Sequence, residues 1–399
     1  MQSLQKSSWR RWLALIGPAF AVSIGYIDPG NWATDLAAGA YGFQLLWVVL
    51  AAGAIALILQ LCAARVALVT GEDLATLIST RWRSAAPVLG LLFELAIIAT
   101  DLAEFAGIVI GLQLVFRVPM MVAVGVGLLA VGAIFLVNSG HLRALQRSLV
   151  AMLSLVAAIV LCQLWQTHPS LFAIASGALT PRLPDRAAIL VIVGLIGATV
   201  MPHNLFLHSA LIKESCKDLP ADERQQRSSF YCGETVSALL LATLVNGGIL
   251  IVGANFKGAG GSFELAFGII RAHTGATMAL LFGAALTVSG LASSVTATLS
   301  NDYVLSAFSP IRTSPLFRRA VAVVPAAVAL GSGVDPLKMM LWSQAILAII
   351  LPSVVVPLII IMAKMPTPRV ASSRRWIAAS ALAAAVCIAF DTALIVLMV

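Results

Sequence analysis

Apolar runs of about twenty residues follow one another through most of the 399-residue chain, with short polar joints between them. A run of that length with so few charges reads as a helix crossing a bilayer. With 60% hydrophobic and 11% charged residues, no soluble core could absorb this much apolar side chain. The runs are continuous and do not alternate, which excludes a β-barrel. The first continues far past the core of a signal peptide and lacks a clear cleavage site, so no secretory leader is indicated. Eleven spans are predicted, at 12–40, 44–70, 86–116, 119–138, 147–165, 187–212, 231–255, 275–307, 318–331, 337–363 and 376–398. The most hydrophilic stretch, 213–229, reads as a solvated loop or a short surface helix.

The formal net charge of +8 is dispersed around the ends of these runs and forms no single basic stripe. Nucleic acid is therefore not expected as a partner, and the cations read as topology signals in a lipid bilayer. With the N-terminus in the cytoplasm, nineteen of the 25 Lys and Arg residues fall on the cytoplasmic side. Only Arg117, Arg182, Arg186, Lys257, Arg271 and Lys338 fall on the other. Eleven spans then leave Val399 outside. The five cysteines form no CxxC pair, which argues against a disulfide framework or a structural zinc site.

Two segments interrupt this pattern. Asp28-Pro29-Gly30-Asn31 lies within the first span, and Ala198-Thr199-Val200-Met201-Pro202-His203-Asn204 within the sixth. Irregular backbone at membrane depth is tolerated only where it is buried or lines a cavity, and paired breaks in corresponding halves point to a transport site. Five spans separate the two breaks. The expected architecture is an all-α integral membrane domain over 1–399, with an inverted repeat of the leucine-transporter (LeuT) type. Its five-helix repeats are 12–165 and 187–363, and 376–398 is an added helix.

The chemistry on offer at the breaks is specific. A carboxylate at mid-bilayer costs roughly 2.5–3.5 kcal/mol on insertion scales, so Asp28 needs a function to justify it. Pro29 has no N–H for the carbonyl of Gly25, and Pro202 has none for the carbonyl of Ala198, so both oxygens are freed as ligands. Asn31 adds an amide oxygen and Met201 a soft sulfur. Mg²⁺ and Ca²⁺ gain little from sulfur, whereas Mn²⁺, Fe²⁺ and softer ions accept both donor types. Met201 is thus expected to filter out the alkaline-earth ions. Further polar residues in the spans are Glu234, Asn246, Asp302, Gln344 and Asp391; of these Gln344 is placed to reach the site as an amide or water-bridged ligand.

The third span carries Glu94, Asp101 and Glu104, which share one helical face. With His203, they form a candidate proton relay towards Arg318 and Arg319 at the start of the ninth span. A static buried ion-pair network is the alternative reading. His208, five residues after His203, points elsewhere on a regular helix, as a second relay group or a packing histidine.

Taken together, Asp28-Pro-Gly-Asn31, Thr100-Asp101-Leu-Ala-Glu104 and Met201-Pro-His203-Asn204 with His208-Ser209 resemble the Nramp family of divalent-metal transporters, in particular its bacterial proton-dependent manganese transporters. The resemblance implies that Asp28, Asn31 and Met201 are side-chain ligands, that Gly25 and Ala198 supply carbonyls, and that Gln344 matches the family's tenth-helix glutamine. It implies a proton path through Asp101, Glu104 and His203, with Arg319 as partner and Glu94 further along. Two departures stand out. Ser300-Asn301-Asp302 replaces a small-small-Gln run, and Gly25 stands where the family often has alanine. Related magnesium transporters lack the methionine.

The expected function is proton-coupled import of Mn²⁺ and Fe²⁺ across a bacterial inner membrane by alternating access. The metal is cargo and the proton the coupling ion. No cofactor motif and no nucleophile–base pair is present, so an enzyme is not expected. The alternatives are a sodium-coupled amino-acid symporter of the same fold, or a metal channel or sensor that does not cycle.

Overall fold

The computed structural model describes residues 17–138, 142–255, 262–309, 315–365 and 373–398, without the side chains of 134–145, 315–320, 322, 373–377, 391, 394, 395, 397 and 398. Among the described residues every regular element is helical. The first span is α1 (Pro18–Ser23), a 3-10 turn (Ile24–Ile27) and α2 (Pro29–Gly39). Then come α3 (Leu46–Thr70), α4 (Leu74–Arg81), α5 (Ala86–Phe116), α6 (Met120–Asn138), α7 (Leu142–Thr167) and α8 (Leu171–Leu179). The sixth span is α9 (Ala188–Thr199) with α10 (Pro202–Ser215), followed by α11 (Ala221–Gln226) and α12 (Ser228–Asn255). The remainder are α13 (Phe263–Thr274), α14 (Ala276–Phe308), α15 (Pro315–Gly331), α16 (Pro336–Ile350), α17 (Pro352–Lys364) and α18 (Ser373–Met398).

Each expected span contains helix, and seven are long and apolar enough on their own terms to cross a bilayer. The first span's predicted start, 12–16, lies outside the described residues. Three helices were not expected. α4, α8 and α13 are short, at 8, 9 and 12 residues, and fall below the length that marks a span. α8 exposes Leu171, Phe172 and Leu179 while burying Gly177 against the Phe43 carbonyl, as a helix lying along a membrane interface would. The tenth span, expected as one helix over 337–363, is divided at Leu351, because Pro352 has no N–H to continue the ladder.

Both breaks share one local code. Pro29 and Pro202 each open the second half-helix, where the missing N–H is one that a first turn leaves unbonded anyway. The residue before a proline is pushed out of the α region, and Asp28 (φ −74°, ψ 167°) and Met201 (φ −83°, ψ 127°) are accordingly extended. Sequence-local sterics thus place the acidic residue and the thioether at the two points where helix stops.

Packing then brings the breaks together. α2 lies against α9 and α12, and α5 runs alongside α14 in the most extensive helix contact among the described residues. Small residues permit the closest approaches, as expected where lipid gives no hydrophobic drive to helix pairing. Gly197 on α9 packs on the Gln344 carbonyl of α16, and Gly107 on α5 packs directly on the Pro29 ring. A Cβ at either position would collide. Large apolar side chains such as Leu129, Trp165, Leu244 and Leu382 point outward from the spans, as surfaces facing lipid do.

Candidate functional site

Asp28 caps α2: its Oδ1 accepts from the Asn31 N–H at 2.7 Å. Its Oδ2 has no protein partner, although the residue is fully buried. A buried carboxylate oxygen left unsatisfied is expensive, which marks it as a position kept for a ligand. One atom of the Asn31 amide lies 2.7 Å from Asp28 Oδ1 and 2.9 Å from the Ala198 carbonyl oxygen; the other lies 2.9 Å from Asn246 Nδ2. With Asn246 donating, Asn31 Nδ2 donates to both oxygens. The positive end of an amide thus bridges an anionic oxygen and a carbonyl oxygen from the two different breaks.

Reversing that amide would instead turn its oxygen towards the Asp28 carboxylate and the Ala198 carbonyl, a set of donors that only a cation could hold together.

The other predicted ligands approach the same region. Met201 is fully buried, and its Sδ accepts from Asn204 Nδ2 at 3.5 Å. The Asn204 amide also lies against Gly25, where an added Cβ would come within 2.7 Å of Nδ2, so the thioether sits beside the 3-10 turn of the first span. Gln344 is fully buried with its amide pressed on Gly30 and its Nε2 donating to Ser343 Oγ at 3.2 Å. Among the described residues no three His, Cys, Asp or Glu side chains form a metal cluster, so any cation site here is built from mixed donors.

His203 follows Pro202 in α10 and turns towards α5, its Nδ1 3.3 Å from Thr100 Oγ1. Asp101 and Glu104 are buried on the same helix, and both are engaged in interactions. Gly107, one turn beyond Glu104, touches Pro29, so the acidic face of α5 runs past the first break. Glu94 is partly buried further along. The side chains of Arg318 and Arg319 lie outside the described residues. His208 stands apart from this line: its Nδ1 is 2.7 Å from Gln60 Oε1, and Gln60 Nε2 donates to the Tyr26 hydroxyl at 2.5 Å.

Several polar positions around the breaks were not identified by motif. Asn246, one more polar residue in an apolar span, orients Asn31 and donates to the Tyr26 carbonyl at 2.8 Å. Ser289 donates to the Ile27 carbonyl, and Ser300, within the departure from the family run, donates to the His203 carbonyl at 2.8 Å. Asp35, buried on α2 seven residues beyond Asp28, has no hydrogen-bond partner for either oxygen. A second intramembrane carboxylate on the face of the first was the available signal. Asn246→Ala is expected to weaken Mn²⁺ binding by about 10–100-fold, the range for residues that orient a ligand. Titration calorimetry on the purified variant measures it, and an unchanged affinity would count against the orienting role.

The family model for natural resistance-associated macrophage protein-like (Nramp) sequences matches residues 19–397. The chain belongs to the Nramp family. Its relatives include the divalent metal cation transporter MntH of Burkholderia ambifaria, 37% identical over 88% of this chain and 81% of that protein. The protein of the same name from Bacillus subtilis is 34% identical over 88% of this chain and 84% of its own length. A crystal structure of a mutant manganese transporter from Eremococcus coleocola superimposes with a TM-score of 0.82, at 27% identity, over 98% of this chain and 87% of that one. Mhp1, a nucleobase-cation-symport-1 family transporter, shares the fold alone, with a TM-score of 0.58 and 18% identity, over 86% of this chain and 77% of that one. The protein is thus a multi-pass, all-helical Nramp protein of leucine-transporter type, broken at its first and sixth spans.

Proposed function

We propose that the protein is a proton-coupled importer of divalent transition-metal ions, Mn²⁺ and Fe²⁺, working by alternating access in a bacterial inner membrane with its N-terminus cytoplasmic. One observation carries this reading. The Asn31 amide lies 2.7 Å from the Asp28 carboxylate and 2.9 Å from the Ala198 carbonyl, so polar groups of both broken spans meet beside a buried carboxylate oxygen with no protein partner. The cation would take Asp28, Asn31 and Met201 as side-chain ligands, with carbonyls from Ala198 and Gly25 and help from Gln344. The names of the MntH relatives and of the Eremococcus coleocola transporter support the substrate class. An amino-acid symporter fits poorly, because Asp28 would repel a substrate carboxylate.

Asp28, Asn31, Ala198 and Met201 are each at most 1% exposed, so the site is closed to both sides. A cation can enter or leave only when the surrounding helices move, which fits a cycling carrier better than a channel. Coupling follows from competition, since a divalent cation and a proton bind the same carboxylate. His203, Asp101 and Glu104 supply the onward path for a displaced proton, with Glu94 and Arg319 beyond and His208 in a separate group.

The test is Mn²⁺ uptake in proteoliposomes with and without an imposed inward acid gradient. The gradient should drive uphill accumulation. In Glu104→Gln and His203→Ala, downhill Mn²⁺ entry should persist while stimulation by the gradient falls away. Uptake by the parent protein that ignores the gradient would overturn proton coupling, and failure of Mn²⁺ to bind would overturn the substrate class.

A further inference from the structure

Glu234 belongs to neither the cation site nor the acidic face of α5, yet it is 94% buried, being 6% exposed, near the start of α12. Its Oε1 accepts from the main-chain N–H of Ala19 at 3.0 Å and of Phe20 at 3.3 Å. With Gly17 as the residue before α1 and Pro18 opening it, these are the two amides that a capping side chain would ordinarily satisfy. Gly17 has no side chain to do so. The cap arrives instead from 215 residues away, and Gly17 is small enough to admit it: a Cβ there would stand 2.6 Å from Glu234 Oε2.

The half-helix held in this way is the shorter of the two halves of the first span. α1 has six residues and continues only through one 3-10 turn, too little to persist unaided. At its far end stands Asp28, an extended residue and hence a natural hinge. Between these points the segment is fastened by Asn246 on the Tyr26 carbonyl, Gln60 on the Tyr26 hydroxyl and Ser289 on the Ile27 carbonyl. α12 therefore grips the half-helix twice, at its start through Glu234 and near its end through Asn246.

We propose that Glu234 is a positioning residue that latches α1 shut, and that releasing its carboxylate from the Ala19 and Phe20 amides opens the cytoplasmic mouth of the site. The proposal rests on the transporter reading and on the orientation given above. A carboxylate suits a latch. Charge-assisted bonds to main-chain N–H groups are about twice as strong as neutral ones. Glu234 stands one to two turns from the polar residues that open α12, so water can replace its partners once α1 swings away.

The experiment places a reporter, Ala21→Cys, on the buried face of α1, in a background with the five native cysteines changed to serine. Labelling by a membrane-impermeant maleimide is followed separately in inside-out and right-side-out vesicles without metal. Glu234→Ala should speed labelling from the cytoplasmic face at least about tenfold, since it loses two charge-assisted hydrogen bonds, each worth about tenfold or more. Glu234→Gln keeps an acceptor and should fall between Ala and the parent; it also serves if the Ala variant fails to fold. Equal labelling rates in the parent and in folded Gln or Ala variants would overturn the latch, as would acceleration from the opposite face only. Mn²⁺ uptake by the parent is scored independently, so a protein that fails to transport while its labelling still responds would overturn the transport reading and leave the latch standing.

Discussion

Asp28→Asn is expected to abolish Mn²⁺ uptake while leaving the protein folded. Asparagine caps a helix about as well as aspartate, so the bond from the Asn31 N–H to residue 28 is retained. The substitution removes the negative charge and turns one oxygen into an NH₂ group. Oδ2, the buried oxygen with no protein partner, is the natural position for a cation's first bond. Losing the only anionic donor among the proposed ligands should lower affinity by more than about 100-fold, beyond the range seen for outer partners of a metal site. Calorimetry with Mn²⁺ and uptake in proteoliposomes measure the two consequences separately. Wild-type uptake by folded Asp28→Asn would remove the proposed site.

Met201→Leu should change selectivity more than stability. Leucine matches the volume of methionine, so the buried pocket stays filled at a cost usually below about 1.5 kcal/mol. The sulfur disappears, and with it the acceptor for Asn204 Nδ2. Soft ions lose most. Cd²⁺ affinity should fall roughly tenfold, equivalent to about 1.4 kcal/mol, while Mg²⁺ and Ca²⁺ lose almost nothing because they gain little from sulfur. The two alkaline-earth ions should therefore inhibit Mn²⁺ uptake at lower concentrations than they do in the parent. Met201→Ala should shift selectivity the same way, with an added loss of stability from the cavity. Competition curves that are unchanged in both variants would reject the filter.

The locations of the breaks were legible because proline acts through covalent geometry. Pro29 and Pro202 dictate that Asp28 and Met201 leave the helical region and that the carbonyls of Gly25 and Ala198 lose their usual donors. None of this depends on neighbours. The acidic face of α5 was legible for a similar reason, since a helix fixes which residues share a side. The short helices α4, α8 and α13 escaped notice because hydropathy over twenty residues averages them into their surroundings.

Sequence alone thus determined the spans, their interruptions and the donor types carried at each, all of which are set within a few residues of chain. Tertiary structure decided which of those groups meet. The Asn31 amide takes its orientation from Asn246, 215 residues on; His208 is drawn to Gln60 and Tyr26, not to the acidic face; and α1 receives its cap from α12. Such pairings follow from helix tilt and register. In a bilayer the lipid is as apolar as the protein interior, so hydropathy cannot mark which face of a span turns inward.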